Sequence, residues 1–172
     1  MAPLENCDIL NSRSLMTVAR QLLAWCLGLF LTSNPLFGQI QVYQESPLSF
    51  GGIISSETGG TVSISAAGVR SSSAGIVLLG QAEYHPLILG IEAPYGSQIQ
   101  IQLGGEQTLT GSNGGQLSLT LNESNPVSPF LTMATPPDRT LVYIGGTLSI
   151  GLRSQTPPGN YSGTLTIVLI QE

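Results

Sequence analysis

From residue 40 onward the chain alternates apolar and polar side chains with a period of two. Gln98-Ile99-Gln100-Ile101-Gln102-Leu103, Gln116-Leu117-Ser118-Leu119-Thr120-Leu121 and Thr147-Leu148-Ser149-Ile150-Gly151-Leu152 do so without a fault. Successive side chains of a strand point to opposite faces, so each run predicts a strand with one face dry and one in water. Thr61-Val62-Ser63-Ile64-Ser65 is a shorter version, and Pro47-Leu48-Ser49-Phe50-Gly51 puts Leu48 and Phe50 on one face. Ile76-Val77-Leu78-Leu79 and Leu165-Thr166-Ile167-Val168-Leu169-Ile170 are apolar on nearly both faces. Strands of that kind either sit centrally in a sheet or await a partner.

Turn chemistry separates the runs. Gly51-Gly52, Gly59-Gly60, Gly104-Gly105, Asn113-Gly114-Gly115, Gly145-Gly146 and Pro157-Pro158-Gly159-Asn160 stand between them, many about 8 to 15 residues apart, a spacing that marks short strands joined by tight turns. No stretch after residue 38 has the 3.6-residue period of a helix. The prediction is a single all-β domain, an antiparallel immunoglobulin-like sandwich of about seven to nine strands. Asn125 to Phe130 and Thr135 to Arg139, both rich in proline, are expected to be loops or edge strands, because proline cannot donate to a central ladder.

The segment before this pattern differs. Residues 22–31 form a ten-residue apolar run after Arg20, too short for the roughly 20 residues that cross a bilayer and suited to a signal-peptide core of about 7–15. Residues 1–38 are therefore expected to be an export signal ahead of a domain at 39–172, with cleavage after Gly38 and a site near Ser33 as the alternative. Glu5 and Asp8 fit a positively charged leader badly, which points to Met16 as the start. Cys7 and Cys26 are the only cysteines, and both fall in this segment. The domain is expected to hold no disulfide and no thiolate site, and to be exported to the periplasm, cell surface or exterior, with no membrane attachment.

Composition narrows the chemistry. Lysine is absent and only 9% of the chain is charged, against about 25% in ordinary globular proteins. Residues 39–172 contain 17 Ser, 12 Thr and 11 Gln, so neutral polar groups supply the water-facing surface. Arg70, Arg139 and Arg153 stand against eight carboxylates there, the wrong sign for nucleic acid. His85 is the sole histidine; without a Gly-x-Ser-x-Gly elbow or a metal-ligating companion it reads as a solvated residue at a strand edge. Glu83 and Glu92 are the nearest approach to the paired acids of a glycosidase, yet residues 39–172 lack tryptophan to line a sugar site. Asp138 is the only aspartate there, which argues against a calcium loop. The glycine pairs lack the lysine and helix of a phosphate loop, and the sequons at Asn122 and Asn160 carry no weight. No catalytic, cofactor-binding or metal residue, and no cofactor, is expected.

Three stretches taken together carry a resemblance. They are Pro47-Leu48-Ser49-Phe50-Gly51; Gly59-Gly60-Thr61-Val62-Ser63-Ile64-Ser65 continuing to Gly68-Val69-Arg70-Ser71; and Pro158-Gly159-Asn160-Tyr161-Ser162-Gly163-Thr164-Leu165. In these the chain resembles the bacterial domain-of-unknown-function family 4402 over about residues 46 to 170. Its ending is also similar to that of pilin subunits assembled by chaperone and usher, in which Gly-x-Tyr-Ser-Gly-Thr opens the last strand. That second resemblance implies a sandwich lacking one strand, completed by a segment from a neighbour. Residues 39–46 would then be either a donor strand, with Ile40, Val42 and Gln44 facing one way, or the domain's own first strand. The expected role is structural or adhesive, of a fimbrial type, with copies of itself or other surface subunits as partners. A carbohydrate-binding module is the alternative, and an unrecognised hydrolase comes last.

Overall fold

The computed structural model describes residues 38–172. Residues 1–37 of the expected export segment, with Met16, Cys7 and Cys26, lie outside them. The described chain forms thirteen strands and no helix: β1 (Gln41–Ser46), β2 (Ile53–Ser55), β3 (Gly60–Ile64), β4 (Arg70–Ser72), β5 (Ile76–Leu78), β6 (Leu87–Glu92), β7 (Gln98–Gln102), β8 (Gln107–Gly111), β9 (Gln116–Asn125), β10 (Phe130–Leu131), β11 (Thr140–Ile150), β12 (Tyr161–Ser162) and β13 (Val168–Gln171). Those of four or more residues are β1, β3, β6, β7, β8, β9, β11 and β13, so the excess over the expected number consists of two- and three-residue pieces. Every pairing between named strands is antiparallel.

One sheet of eight strands runs β1-β6-β11-β9-β8-β12, with β3 and β4 branching from β11. The branch exists because β11 is long enough to serve two neighbours along one edge. Thr140 to Ile144 pair with β6, and Gly146 to Ile150 pair with β3. Between them sits Gly145, at a register shift in the β9 pairing. A Cβ there would lie 2.6 Å from the Ile64 carbonyl oxygen and 2.8 Å from the Ala66 nitrogen. Only glycine admits the end of β3 and the turn after it so close to β11.

Two smaller sheets cover this one. β10-β7-β13 forms the first and β2-β5 the second. The alternation is realised in Ile99, Ile101, Leu117, Leu119, Leu121 and Leu148, which are buried, each worth about 1.5–3 kcal/mol of transfer from water, whereas Leu152, past the end of β11, is exposed. The interior is nevertheless in two parts. Beneath β10-β7-β13 lies a core around Leu89, Ile91, Ile99, Val142 and Ile144, and beneath β2-β5 one around Phe50, Val62, Ile64, Leu119 and Leu148. Leu48 and Leu165 pack against both.

Several expectations are refined. Pro47 to Gly51 is no strand; Ser49 makes an isolated antiparallel bridge with His85. The two runs that are apolar on both faces lie at sheet edges: Val77 is 60% exposed on β5, and Val168 and Ile170 are exposed on β13. Ladder pairing of the last run begins at Val168, whereas Leu165 to Ile167 lie in no strand. Pro126 follows the end of β9 and Pro129 immediately precedes the short edge strand β10, positions that need no proline donor. Residues 41–46 pair with β6 of the same chain.

Candidate functional site

β2 pairs only with β5, which leaves its other edge open. Which backbone groups lie on that edge follows from the ladder. The Leu79 N–H donates to the Gly52 carbonyl at 3.0 Å and the Ser56 N–H to the Gly75 carbonyl at 2.8 Å. Bonded and non-bonded pairs alternate in an antiparallel ladder, so Ile53 and Ser55 turn their N–H and C=O away from β5. The Arg70 guanidinium fixes the start of this flank, donating from Nη1 to the Phe50 carbonyl and from Nη2 to the Leu79 carbonyl, both at 2.9 Å. It stacks on the Tyr84 ring, 4.1 Å from the centroid, which holds the fork flat.

The opposite flank is the final stretch of chain. Tyr161 and Ser162 pair with β8; Gly163 to Ile167 lie in no ladder; Val168 onward pairs with β7. Side chains still alternate through the unpaired stretch, with Leu165 and Ile167 turned inward and Thr164 and Thr166 exposed. Between the flanks lies a groove of about 750 Å³. Its floor is the eight-stranded sheet, which contributes Leu109, Leu117, Leu119, Leu148 and Ile150. Arg153 and the Thr156 to Pro158 turn also line it. Tyr161 joins that turn through its hydroxyl, which donates to the Pro157 carbonyl at 2.7 Å. Arg153 is the groove's only charged lining residue, 53% exposed and held only loosely by Glu57 at 3.8 Å.

A second feature is the outer face of the eight-stranded sheet. Register places Thr108, Ser118, Ser149 and Thr61 in one row across β8, β9, β11 and β3. Thr120, Thr147, Ser63 and Ser71 form the next row across β9, β11, β3 and β4. Thr147 Oγ1 lies 2.8 Å from Ser63 Oγ and accepts from Asn122 Nδ2 at 2.6 Å. These two rows present hydroxyls and no charge.

The residues weighed as catalytic candidates are scattered. Glu83 is an exposed loop residue ahead of β6, while Glu92 closes β6 with its carboxylate 4.0 Å from Arg139. The two carboxylates thus lie toward opposite ends of one strand, Glu83 ahead of it and Glu92 as its last residue. His85 corrects its expectation as a solvated residue: it is half-buried, bridged to Ser49, and its Nδ1 lies 2.9 Å from Ser46 Oγ. A serine–imidazole pair is two of the three members of a nucleophilic triad, but among the described residues no carboxylate hydrogen-bonds the ring. No group of three His, Cys, Asp or Glu side chains that could hold a metal occurs among the described residues. Asp138 sits alone in the turn before β11, its N–H donating to the Thr135 carbonyl at 3.0 Å.

Charge gathers instead around β1. Arg139 bonds Glu45 at 2.6 Å and lies over the Tyr43 ring, 3.6 Å from its centroid. Its pKa is raised above the ordinary arginine value, chiefly by the hydrogen bond to Glu45 and further by the charges of Glu45, Tyr43 and Glu92. Arg139 therefore staples β1 to the turn preceding β11.

Comparison with known proteins adds one match. The family described as domain of unknown function DUF4402 matches residues 40–170. No curated protein and no solved structure matches the chain.

Proposed function

The chain belongs to the family described as domain of unknown function DUF4402, and from that premise we propose that it is an exported, non-catalytic structural or adhesive subunit that joins its neighbour by strand addition. One observation carries this reading: an apolar groove bounded by two stretches of extended chain, each with backbone left unpaired. A lipid would fill the groove but leave those N–H and C=O groups without partners, and a sugar would hydrogen-bond them but match the leucine and isoleucine floor badly. An extended peptide satisfies both demands, laying alternate side chains on Leu117, Leu119, Leu148 and Ile150 while its backbone extends the sheets. The apolar run at residues 22–31 supports export, and the likeness of Gly159 to Thr164 to the pilin ending supports a fimbrial setting.

The test is direct. Surface shear fractions of the native cell are probed with an antibody to the protein and imaged by electron microscopy. The reading expects the protein outside the inner membrane, in assemblies or bound to a larger partner. Recovery solely as a cytoplasmic monomer would sink it.

The outer hydroxyl rows favour one second reading, a module that binds neutral glycans, since hydroxyl and amide groups without charge suit an uncharged polar ligand. Glycan-array binding that is lost in Thr120→Ala/Thr147→Ala would replace the first reading with this one.

A further inference from the structure

Strand addition needs both a receiver and a donor, and the two are unequally represented here. The donor suggested by the sequence is residues 39–46. Residues 41–46 are committed within their own chain, with Gln41 to Gln44 laddered on Glu92 to Leu89 and Ser46 opposite Ile88. Ile40 packs against the core, Tyr43 lies beneath Arg139, and Glu45 is bonded to the same guanidinium. Releasing this segment would strip the adjoining edge of β6 and break the Arg139 staple. Among the described residues no other extended apolar segment stands free of the fold.

Resting on the strand-addition reading, we infer that residues 38–172 act as an acceptor only: the groove takes an extended strand that these residues do not themselves supply, and the described domain does not polymerise through residues 41–46. The partner's chemistry follows from the groove. Floor residues Leu119 and Leu148 are register partners, and Leu117 and Ile150 lie two residues along their strands, about 6.7 Å further on. An inserted strand therefore presents apolar residues at every second position to meet successive rows. Its outward residues are neutral and polar, like Thr164 and Thr166 on the flank. At the Arg153 end it carries a carboxylate or no charge, because Arg153 is the one charge in the lining and Glu57 engages it weakly.

The experiment uses the purified protein and two blocked ten-residue peptides of alternating valine and threonine, one ending in glutamate and one in lysine. Light scattering coupled to gel filtration measures its mass over a wide concentration range, and calorimetry measures peptide binding. The inference expects a monomer throughout. It also expects both peptides to bind, the better-placed charge favouring glutamate by about two- to five-fold, as an exposed ion pair allows, with slowed amide exchange at Ile53 and Ser55. Ile150→Thr, on the open floor, is expected to fold as judged by circular dichroism and to weaken peptide binding at least ten-fold; unchanged affinity would remove the groove as the site. Self-assembly into filaments would overturn the acceptor-only inference while leaving strand addition standing. A monomer that binds neither peptide would overturn the strand-addition reading itself.

Discussion

The Ser128 hydroxyl is bonded to both backbone groups of Ile101, accepting its N–H at 2.7 Å and donating to its carbonyl at 3.3 Å. A side chain here does the work of a strand. β10 reaches only Gln98 and Ile99 of β7, and Pro129 cannot extend the ladder. Ser128→Ala would leave the buried Ile101 N–H without its acceptor, and the expected loss is about 1–3 kcal/mol. Chemical denaturation measures it. Wild-type stability would show that water replaces the hydroxyl there.

Thr132 closes the same sheet. It is 1% exposed; its Oγ1 donates to the Pro94 carbonyl at 2.6 Å and accepts from the Ser97 N–H at 3.0 Å. Thr132→Val keeps the shape and strands both partners, so a loss of about 1–3 kcal/mol is expected, whereas Thr132→Ser should retain most of the stability.

Arg70 holds the β2 flank through two carbonyls at once. Lysine brings an ammonium that cannot fork, so Arg70→Lys is expected to cost about 1–2 kcal/mol and to speed amide exchange near Gly52. The β7 ladder should be unaffected; equal loosening of both sheets would show the effect is not local.

Gly145 admits no side chain without moving the end of β3. Gly145→Ala is expected to destabilise by about 1–3 kcal/mol through overpacking, whereas Gly105→Ala, with open space around it, should stay within about 0.5 kcal/mol of wild type. Thermal melts of the pair separate a close approach from a mere preference for glycine.

Ile167 and Val168 are adjacent and opposite. Ile167 packs against the core around Ile99, and Val168 is 47% exposed. Ile167→Asp is expected to lose more than about 2 kcal/mol by placing an unpaired charge against apolar side chains. Val168→Asp should fold normally. A soluble, folded Ile167→Asp would show that this stretch lies outside the core.

Much of the β architecture could be read from local pattern. Gln98 to Leu103 and Gln116 to Leu121 announce their own structure, because a period of two has few other physical solutions once every second residue must leave water. β6 was not legible in this way. Leu87-Ile88-Leu89-Gly90-Ile91 has no alternation, since its outer face is not open to solvent: a Cβ on Gly90 would lie 2.6 Å from Glu45 Oε1 and 2.9 Å from Arg139 Cδ. The cover comes from residues 45 and 49 positions distant, which no local window contains. Residues 140–146, the first half of β11, escaped the pattern for a related reason: Gly145 and Gly146 read as a turn, and only contact with β3 and β6 on one edge makes them the middle of a strand.

The groove shows the same division. Leu165 to Ile170, apolar on both sides, implied a strand that either sits centrally or awaits a partner. That the groove lies between this stretch and residues 48–55, over the Leu119 and Leu148 pair, was decided by the packing of chain segments more than a hundred residues apart. Sequence alone determined which residues leave water and that they do so as strands, because burial and backbone geometry act locally. Tertiary structure alone decided that β1 is held within its own chain and where the sheets stay open, because partner choice depends on edges and distant side chains meeting in space.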